Sequence, residues 1–533
     1  MTDITEPESS RAQPPETADD DKITPEILKV AGVVVLGSIM AILDTTVVNV
    51  ALPTFQRDFG VEEYSTVAWT ITAYTLALAA VIPATGWAAD RFGTKRLYIA
   101  ALTLFTLGSV LCAMAWNIET LIFFRVLQGL GGGMLMPLGM TIMTRAAGPH
   151  RMGRLMAILG IPMLLGPILG PIIGGWLIDA VSWHWIFLIN LPLGVIAIGY
   201  AFLALAPDRP EPSETFDVVG MLLMSPGLAL FLYGVSSIPG EGTVAATKVL
   251  LPGIVGLCLI VAFVVWAFRP EHPLLDLRLF KDRNLTVATI VMFLFAGAFF
   301  GALLLVPTYF QQVRGESVLM AGLLVAPQGL GAMLTMPIAG SLTDRLPVGR
   351  IVPFGFLGII LGMCGLAACT DPDTPYWQLI GCLFVLGLGM GGTMMPIFTS
   401  ALKTLRAHQV ARGSTLINVI QQVASSVGVA VISVILTNRQ QASDALNALR
   451  AIGEADTAGL QPPDWAIGIA QKLGDAFQST ALADLASSFS TCYWVAAAVL
   501  AVTLVPVALL PRKHEESHLL DDETEARGPV TLH

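Results

Sequence analysis

Fourteen apolar stretches follow one another along the chain, and they restrict the possible folds more than any other feature. A bilayer with an apolar core of about 30 Å needs about 20 such residues to cross it as a helix. The stretches, called spans 1 to 14, have approximate cores at 28–53, 67–89, 97–116, 120–143, 155–178, 185–206, 218–237, 247–268, 286–310, 318–342, 351–370, 377–401, 413–437 and 490–511. The sequence therefore predicts an all-α integral membrane protein with 14 transmembrane helices.

The composition agrees with a chain that lies mostly in lipid. Of its 533 residues, 54% are hydrophobic and 13% are charged, about half the charged fraction of soluble domains. Many of the acids behind the net charge of −10 crowd into two tails, 1–26 and 512–533, whose composition is typical of solvated disorder. We therefore expect the lipid bilayer, and no nucleic acid, as the surroundings of this chain.

The charges between the spans predict its orientation. An even number of spans puts both tails on one side, and the loops of that side carry sixteen Lys and Arg residues, against six on the other side. Because cytoplasmic loops are the cation-rich ones, both termini are expected in the cytoplasm. The acidic, polar opening has no cleavable signal peptide, so span 1 is expected to act as an uncleaved anchor.

An internal repeat divides the spans into two halves. IPATGWAADR at 82–91 matches MPIAGSLTDR at 336–345 at an offset of 254, and GGMLMP at 132–137 matches GGTMMP at 391–396 at an offset of 259. Spans 1 to 6 thus correspond to spans 9 to 14, which is the pattern of transporter halves with a binding site between them. The predicted units are the halves 27–207 and 271–511, two inserted helices in 208–270, and an external loop at 438–489.

A single carboxylate, Asp44, lies near the middle of span 1. An Asp at the centre of a membrane helix costs about 2.5 to 3.5 kcal/mol on insertion scales, so it is tolerated mainly where it faces protein or water. The repeat fails here, because Asp44 aligns with Ala298 and Arg125 of span 4 aligns with Phe384. The ionisable chemistry is therefore expected in the first half, either as a functional site or as a structural ion pair.

Several classes of function are disfavoured by missing patterns. The six cysteines lie inside or at the ends of apolar runs and lack the paired spacing of a metal site, so no metal is expected. No span carries the nucleophile, HExxH or paired-carboxylate pattern of an enzyme, and no phosphate-binding loop of an ATP-driven pump is present. The charged rings or carbonyl filters of a channel are missing as well.

Several motifs resemble the major facilitator superfamily, and within it the fourteen-helix drug:proton antiporter branch of EmrB/QacA type. LDTTVVNVALP at 43–53 and RVLQGLGGG at 125–133 are similar to the motifs of helices 1 and 4, and GWAADRFGTKR at 86–96 to the gating motif between helices 2 and 3. GPILGPIIGG at 166–175 fits the antiporter motif of helix 5. WHWIFLINLP at 183–192 is also similar, with His184 where Arg is usual.

The resemblance implies a major facilitator fold with two pseudo-symmetric halves and two inserted helices (6 + 2 + 6). It assigns proton coupling to Asp44 and Arg125. The gating residues that it implies are Gly86, Asp90, Arg91 and Gly93, with the repeat adding Asp344 and Arg345, and the residues of its antiporter motif are Gly166, Gly170, Pro171, Gly174 and Gly175.

Two of these motifs have alternative interpretations. Asp90 and Arg91 are interpreted as an ion pair at the cytoplasmic end that breaks as the halves rock, and the recurrence of the pair as Asp344 and Arg345 supports this. The glycines of span 5 lie largely on one face, which serves gating or simple close packing of helices equally well.

Uncharged residues inside the spans are the candidates for a large, mostly apolar substrate cavity. They are Asn49, Trp69, Tyr74, Gln128, Phe295, Phe299, Gln328, Asn418 and Gln422. The alternative for the amides among them is a hydrogen bond between helices, because an unpaired amide in lipid is costly.

These observations predict a transporter that is not an enzyme and needs no cofactor. Its coupling ion is the proton, its cargo is a small amphipathic or hydrophobic compound, and its place is the bacterial cytoplasmic membrane. An exporter of an endogenous lipid, siderophore or metabolite on the same fold is the alternative. The sequence leaves open the oligomeric state and whether a periplasmic adaptor binds.

Two finer expectations concern geometry. Asp44 lies nine residues before the end of span 1 and Arg125 six residues after the start of span 4, which puts both roughly 9 to 13 Å below the outer boundary. In the external loop, 445–452 and 465–477 have helical spacing of apolar residues around a Gln-Pro-Pro break, which predicts one or two short amphipathic helices.

Overall fold

The computed structural model describes residues 24–513, except 62–63, 148–150, 208–214, 239–244, 304, 407–408 and 458. The described residues are almost entirely helical and contain no strand. Apart from residues 24–26 and 512–513, the two tails predicted to be disordered lie outside the described residues.

Seven helices form the N-terminal half. They are α1 (Pro25–Asp58), α2 (Tyr64–Phe92), α3 (Thr94–Ala113), α4 (Ile118–Ala147), α5 (Met152–Ala180), α6 (His184–Leu188) and α7 (Asn190–Ala204). α1 begins after Thr24, whose hydroxyl oxygen accepts a hydrogen bond from the amide of Ile27 at 3.4 Å. Span 6 is helical from His184 to Ala204, with Ile189 in a helical conformation between α6 and α7, and Asn190 at the start of α7 is fully buried inside the half.

Two inserted helices, α8 (Val218–Ser236) and α9 (Thr247–Trp266), pack against each other, and α8 also packs on α2. Asp217 joins the N-terminal end of α8 to the C-terminal end of α9. Its carboxylate accepts hydrogen bonds from the amide of Gly220 at 2.7 Å, from the indole of Trp266 at 2.9 Å and from the amide of Leu274 at 3.2 Å. One side chain therefore joins both inserted helices to the segment that leads into the second half.

The C-terminal half repeats the arrangement of the first. Its helices are α10 (Arg283–Leu303), α11 (Leu305–Gln312), α12 (Val318–Arg345), α13 (Val348–Cys369), α14 (Tyr376–Gly391), α15 (Met394–Lys403), α16 (Val410–Gln441) and, after two short helices, α19 (Phe477–Val507). The short helices are α17 (Asp444–Thr457) and α18 (Asp464–Leu473). Span 12 consists of two helices in sequence, α14 and α15, separated by Gly392 and Thr393.

The helices account for the predicted spans. Thirteen helical segments among the described residues are long and apolar enough to cross a membrane. α5, with 29 residues, occupies the place of span 5 and is long enough as well. The prediction of an all-α chain with fourteen membrane-crossing elements is confirmed.

The segment predicted as an external loop differs from the expectation at both ends. α17 and α18 confirm the two short amphipathic helices. However, α16 continues to Gln441, and α19 begins at Phe477 instead of near 490. Hydropathy detects only the apolar part of α19, which begins near residue 490. The helical backbone itself begins earlier, directly after the turn at Gly474, which has a φ of +52°. The irregular connections are therefore shorter than predicted.

The two halves contact each other through two equivalent helix pairs, α2 with α16 and α5 with α12. Small residues make the approach close. A Cβ atom built on Gly153 would lie 2.4 Å from the carbonyl oxygen of Gly340, and one on Gly86 would lie 3.3 Å from the Cα atom of Arg412. Larger side chains at these positions would push the halves apart.

Candidate functional site

The centre of the N-terminal half holds a buried ion pair between α1 and α4. The Nη1 atom of Arg125 lies 2.5 Å from Oδ2 of Asp44, and both side chains are fully buried. Gln128, one turn further along α4, donates from Nε2 to the other carboxylate oxygen at 2.7 Å, and its Oε1 accepts from Arg125 Nη1 at 2.8 Å. The structure thus brings Asp44 and Arg125 into contact at the common depth that the sequence predicts.

Arg125 is fixed by neighbours on two other helices. Its Nε atom donates to the backbone carbonyl of Thr70 at 3.0 Å, and its guanidinium lies 4.0 Å from the ring centroid of Tyr74. The ring of Phe187 lies 5.8 Å away on another side. The aromatic rings, the carboxylate and the carbonyl compensate part of the lost hydration of this cation, and its Nη2 atom remains buried without a hydrogen-bond partner.

A second set of polar groups lies behind the carboxylate, and sequence reasoning missed it. Asn190 donates from Nδ2 to Ser109 Oγ at 3.0 Å and approaches Asp44 Oδ1 at 3.5 Å. Ser109 in turn donates to the carbonyl of Phe187 at 2.9 Å, and the thiol of Cys112 lies 3.5 Å from Gln128 Oε1. The only available signal was the presence of polar residues inside spans 3 and 6.

At the end of the bundle where α2 and α12 terminate, ionic contacts join the two halves. Asp90 lies 3.3 Å from Nε of Arg412 on α16, and Asp344 lies 3.0 Å from Nε of Arg154 on α5. Asp344 also accepts a hydrogen bond from the amide of Gly153 at 2.7 Å. The expected pairing of each aspartate with the arginine that follows it is therefore corrected, because both carboxylates bond the opposite half.

Two glycines of the gating motif have clear local roles. Gly93 has a φ of +90°, a conformation that side-chain-bearing residues rarely adopt, and it forms the turn between α2 and α3. Gly86 lies against α16, where the nearest atom to an added Cβ would be Oγ1 of Thr415 at 3.2 Å. The motif therefore combines a tight turn, an ionic contact and a close approach of the halves.

The glycines of the antiporter motif face α1 in the same half. A Cβ on Gly166 would lie 2.0 Å from the side chain of Ile42, and one on Gly170 would lie 2.0 Å from Oγ1 of Thr46. Gly174 faces Val47 at 3.0 Å, whereas Gly175 has open space around it. The side chain of Pro171 lies outside the described part of the chain. Three of the four glycines thus let α5 lie directly on the helix that carries Asp44.

The candidates for substrate contact fall into different places. Tyr74 and Gln128 belong to the buried network around Arg125. Phe295 and Phe299 stack at 5.1 Å in the core of the second half. Gln328 borders a small cavity beside Phe299 and is buried with its Oε1 unpaired.

The remaining candidates lie nearer the surface or at the junction of the halves. Asn418 donates to the sulfur of Met140 at 3.2 Å across the halves. Trp69 is 39% exposed and stacks on Tyr233 of α8 at 5.3 Å, so it contacts an inserted helix. Asn49 is exposed and Gln422 is partly exposed. The nine candidates therefore do not form a single cluster.

His184 stacks on its neighbour Trp183, with ring centroids 3.7 Å apart, and its Nδ1 lies 2.7 Å from Ser182 Oγ. These local contacts place it at the start of α6, away from Asp44. Among the described residues, no group of three or more His, Cys, Asp and Glu side chains is arranged to hold a metal ion.

The family model described as Major Facilitator Superfamily matches residues 34–429. The chain belongs to this superfamily. It is 47% identical over 500 residues to the Multidrug resistance protein B homolog of Mycobacterium tuberculosis, covering 93% of this chain and 92% of that protein. It is 28% identical over 480 residues to the Multidrug export protein EmrB of Escherichia coli, covering 88% and 92%. The expected resemblance to EmrB-type members of the superfamily is confirmed.

Solved structures show the same fold at low sequence identity. The proton:xylose symporter XylE bound to 6-bromo-6-deoxy-D-glucose superposes with a TM-score of 0.56 at 14% identity, covering 94% of this chain and 98% of XylE. The human organic anion transporter MFSD10 gives 0.57 at 15% identity, covering 90% and 100%. The chain is thus a multi-pass membrane transporter of the major facilitator fold and not an enzyme, and multidrug transporters of this superfamily generally need no cofactor.

Proposed function

We propose that this chain is a proton-coupled multidrug exporter that moves amphipathic or hydrophobic compounds out of the cell. The observation that carries the proposal is the fully buried contact between Asp44 and Arg125 in the first half. At the equivalent positions of the second half, the repeat places the uncharged residues Ala298 and Phe384. A buried ion pair is weak as a device for stability, because desolvation offsets most of its attraction. Its presence inside a membrane bundle therefore favours a functional role.

The proposed cycle uses Asp44 as the proton carrier. Arg125 and Gln128 stabilise the ionised carboxylate through the contacts described above. When a proton from outside binds Asp44, the charge on the carboxylate disappears, and the partners on α4 lose their attraction to α1. Loss of this proton to the cytoplasm restores the contact. One protonation step thus changes how α1 and α4 hold together, which supplies the coupling that an antiporter requires.

We propose that the proton shifts the equilibrium between open and closed forms of the contacts between the two halves. Asp90 with Arg412 and Asp344 with Arg154 hold the ends of α2 and α12 against the opposite half. We propose that these contacts, with Gly86, Gly93, Arg91 and Arg345 around them, form the cytoplasmic gate. They must break when the transporter opens inward, and re-form when it opens outward.

Names of relatives support the class of cargo. The Mycobacterium tuberculosis and Escherichia coli relatives are named for multidrug resistance and multidrug export. Asp44 is the only fully buried carboxylate found among the described residues of the bundle interior, so a second buried positive charge on a cargo would lack a partner there. We therefore propose neutral, zwitterionic or singly cationic cargo, with Asn49, Asn418 and Gln422, which lie at the surface or at the junction of the halves, as its candidate contacts.

We further propose that the chain resides in the bacterial cytoplasmic membrane with both termini in the cytoplasm. The asymmetry of Lys and Arg between the two sets of loops supports this orientation. It places α17 and α18 outside, where an exposed Trp465 on α18 is available to a periplasmic adaptor or to the membrane surface.

Reconstitution in liposomes with an acidic lumen tests the proposal. Ethidium, a singly charged amphipathic dye, should accumulate in the lumen while protons leave it, and a protonophore should abolish the accumulation. The doubly charged relative propidium should accumulate much less. Accumulation that persists after the proton gradient collapses would refute proton coupling. If neither dye moves but cells lacking the gene retain a lipid, siderophore or metabolite, the cargo is endogenous.

A further inference from the structure

Two amide side chains flank the Asp44 carboxylate, and their surroundings differ. Gln128 is fixed in one orientation, because its Oε1 accepts from Arg125 and its Nε2 donates to Asp44. Turning this amide over would bring its NH2 group against the guanidinium, which carries only donors. Gln128 therefore offers Asp44 a donor and no acceptor.

Asn190 is not fixed in this way. Its Nδ2 lies 3.0 Å from Ser109 Oγ and 3.5 Å from Asp44 Oδ1, while its Oδ1 is buried and accepts no hydrogen bond. A hydroxyl can donate as well as accept, so Ser109 can pair with either end of the amide, and pairing with the amide oxygen takes its proton from the carbonyl of Phe187. The amide can thus turn over and present its oxygen to Asp44. The hydrogen bond from the protonated carboxyl group then offsets the loss of the bond between Ser109 and Phe187.

A protonated carboxyl group needs what an ionised one does not, namely an acceptor for its own O–H. The charged and titratable side chains that face Asp44 from the described helices around it are Arg125 on α4, Tyr74 on α2 and Cys112 on α3. Arg125 carries only donors, and Gln128 Oε1 already accepts from it. Two buried oxygens around Asp44 have no hydrogen-bond partner, the hydroxyl of Tyr74 and Oδ1 of Asn190, and the second belongs to an amide that already approaches Asp44 Oδ1 at 3.5 Å.

We propose that Asn190 is a positioning residue of the coupling site, whose side-chain amide turns over to accept a hydrogen bond from Asp44 when that carboxyl group is protonated. This residue lies at the first position of α7 and is fully buried. The inference rests on the proposed role of Asp44 in proton binding. It adds that α7 carries the group that stabilises the protonated state, whereas the closest contacts to the ionised state come from Arg125 and Gln128 on α4.

Infrared difference spectroscopy on the purified full-length protein tests this without any cargo. The carboxyl C=O band of Asp44 is identified by its loss in Asp44→Asn, and its amplitude is followed against pH. In Asn190→Leu the protonated form loses its acceptor, so the half-amplitude pH should fall by about 0.4 to 1 unit, as the loss of one neutral hydrogen bond predicts. In Gln128→Leu the ionised form loses a donor, so the half-amplitude pH should rise.

A fourth variant distinguishes the loss of the acceptor from misfolding. Asn190→Thr keeps a group that can accept, and it should keep the half-amplitude pH closer to wild type than Asn190→Leu does. Equal half-amplitude pH values in wild type and Asn190→Leu would overturn the role of Asn190 while leaving the proposed function intact. If the wild-type protein itself shows no band that titrates and vanishes in Asp44→Asn, the proton-coupling proposal fails, and the role of Asn190 fails with it.

Discussion

The two halves of this transporter differ most where their repeats coincide. In the first half Asp44, Arg125, Gln128 and Tyr74 form a buried polar network. The repeat offsets place Ala298, Phe384, Gly387 and Gln328 at the same positions of the second half. The same helical framework therefore holds a charged network on one side of the pseudo-symmetry axis and uncharged residues on the other.

The second half retains a trace of the missing network. A cavity of about 10 Å³ lies there, and Met363 and Leu366, which line it, correspond to Ser109 and Cys112 of the first half. Gln328, which corresponds to Tyr74, points an unpaired oxygen into this region. The two halves thus share a helical framework, whereas the buried ion pair lies only where a proton is proposed to bind.

The largest expected difference between the halves concerns Arg125 and its counterpart Phe384. Arg125→Leu leaves the buried carboxylate without its cation, which should destabilise the protein by about 3 to 5 kcal/mol. Phe384→Leu removes only apolar contact from a partly buried ring and should cost less than about 1.5 kcal/mol. Thermal unfolding in detergent measures both changes. The double variant Asp44→Asn/Arg125→Leu should recover much of the loss, and a failure to recover would show that Arg125 acts without Asp44.

A second comparison lies within α5. Gly170→Ala would place its methyl group about 2 Å from Thr46, on the helix that carries Asp44, so one of the helices must shift. Gly175→Ala adds the same group in open space. Gly170→Ala should reduce proton-driven transport strongly, with a stability loss of about 1 to 3 kcal/mol, while Gly175→Ala should behave as wild type. If a folded Gly170→Ala protein transports normally, close packing of α1 and α5 is not required for function.

The ionic contacts between the halves offer a smaller effect with a clear sign. Asp344→Asn weakens a carboxylate that bonds both Arg154 and the amide of Gly153, and it should increase the population that is open at this end several-fold. Asp90→Asn acts at the equivalent contact and should shift the population in the same direction. Distances between spin labels on α5 and α12 measure the change. A shift towards the closed form in either variant would show that these contacts do not hold the gate shut.

The smallest effect is expected at Gln328. Gln328→Leu removes a buried oxygen that has no hydrogen-bond partner and replaces it with an apolar group of similar size. Such a change should leave transport unaltered and stability unchanged or higher by about 1 kcal/mol. Loss of transport with normal folding would mean that Gln328 contacts the cargo, and that the second half contributes polar recognition.

Much of this arrangement could be predicted from the sequence. Apolar runs predict the number of helices, because this depends only on local composition. The contact between Asp44 and Arg125 is predicted by their equal depth in spans 1 and 4, together with the family resemblance that assigns both residues to proton coupling. The repeat alone identifies Ala298 and Phe384 as their uncharged counterparts.

Other features depend on tertiary contacts that local patterns do not contain. Arg154 and Arg412 count only as loop cations in the sequence, because their partners Asp344 and Asp90 lie in the opposite half. Sequence reasoning does not detect Asn190, because a single amide in an apolar run has no spacing signal. The sequence does not show where the inserted helices dock, so it does not predict the contact between Trp69 and Tyr233 of α8.

The most direct test of the central claim separates coupling from folding and binding. Asp44→Asn protein is reconstituted beside Asp58→Asn, which changes an exposed Asp at the end of the same helix. Exchange of labelled for unlabelled ethidium without a gradient reports binding and rocking, and uphill accumulation under an imposed pH gradient reports coupling. The account predicts that Asp44→Asn retains exchange and loses uphill accumulation, while Asp58→Asn keeps both. Uphill accumulation by Asp44→Asn at the wild-type level would contradict the coupling role of the Asp44–Arg125 pair.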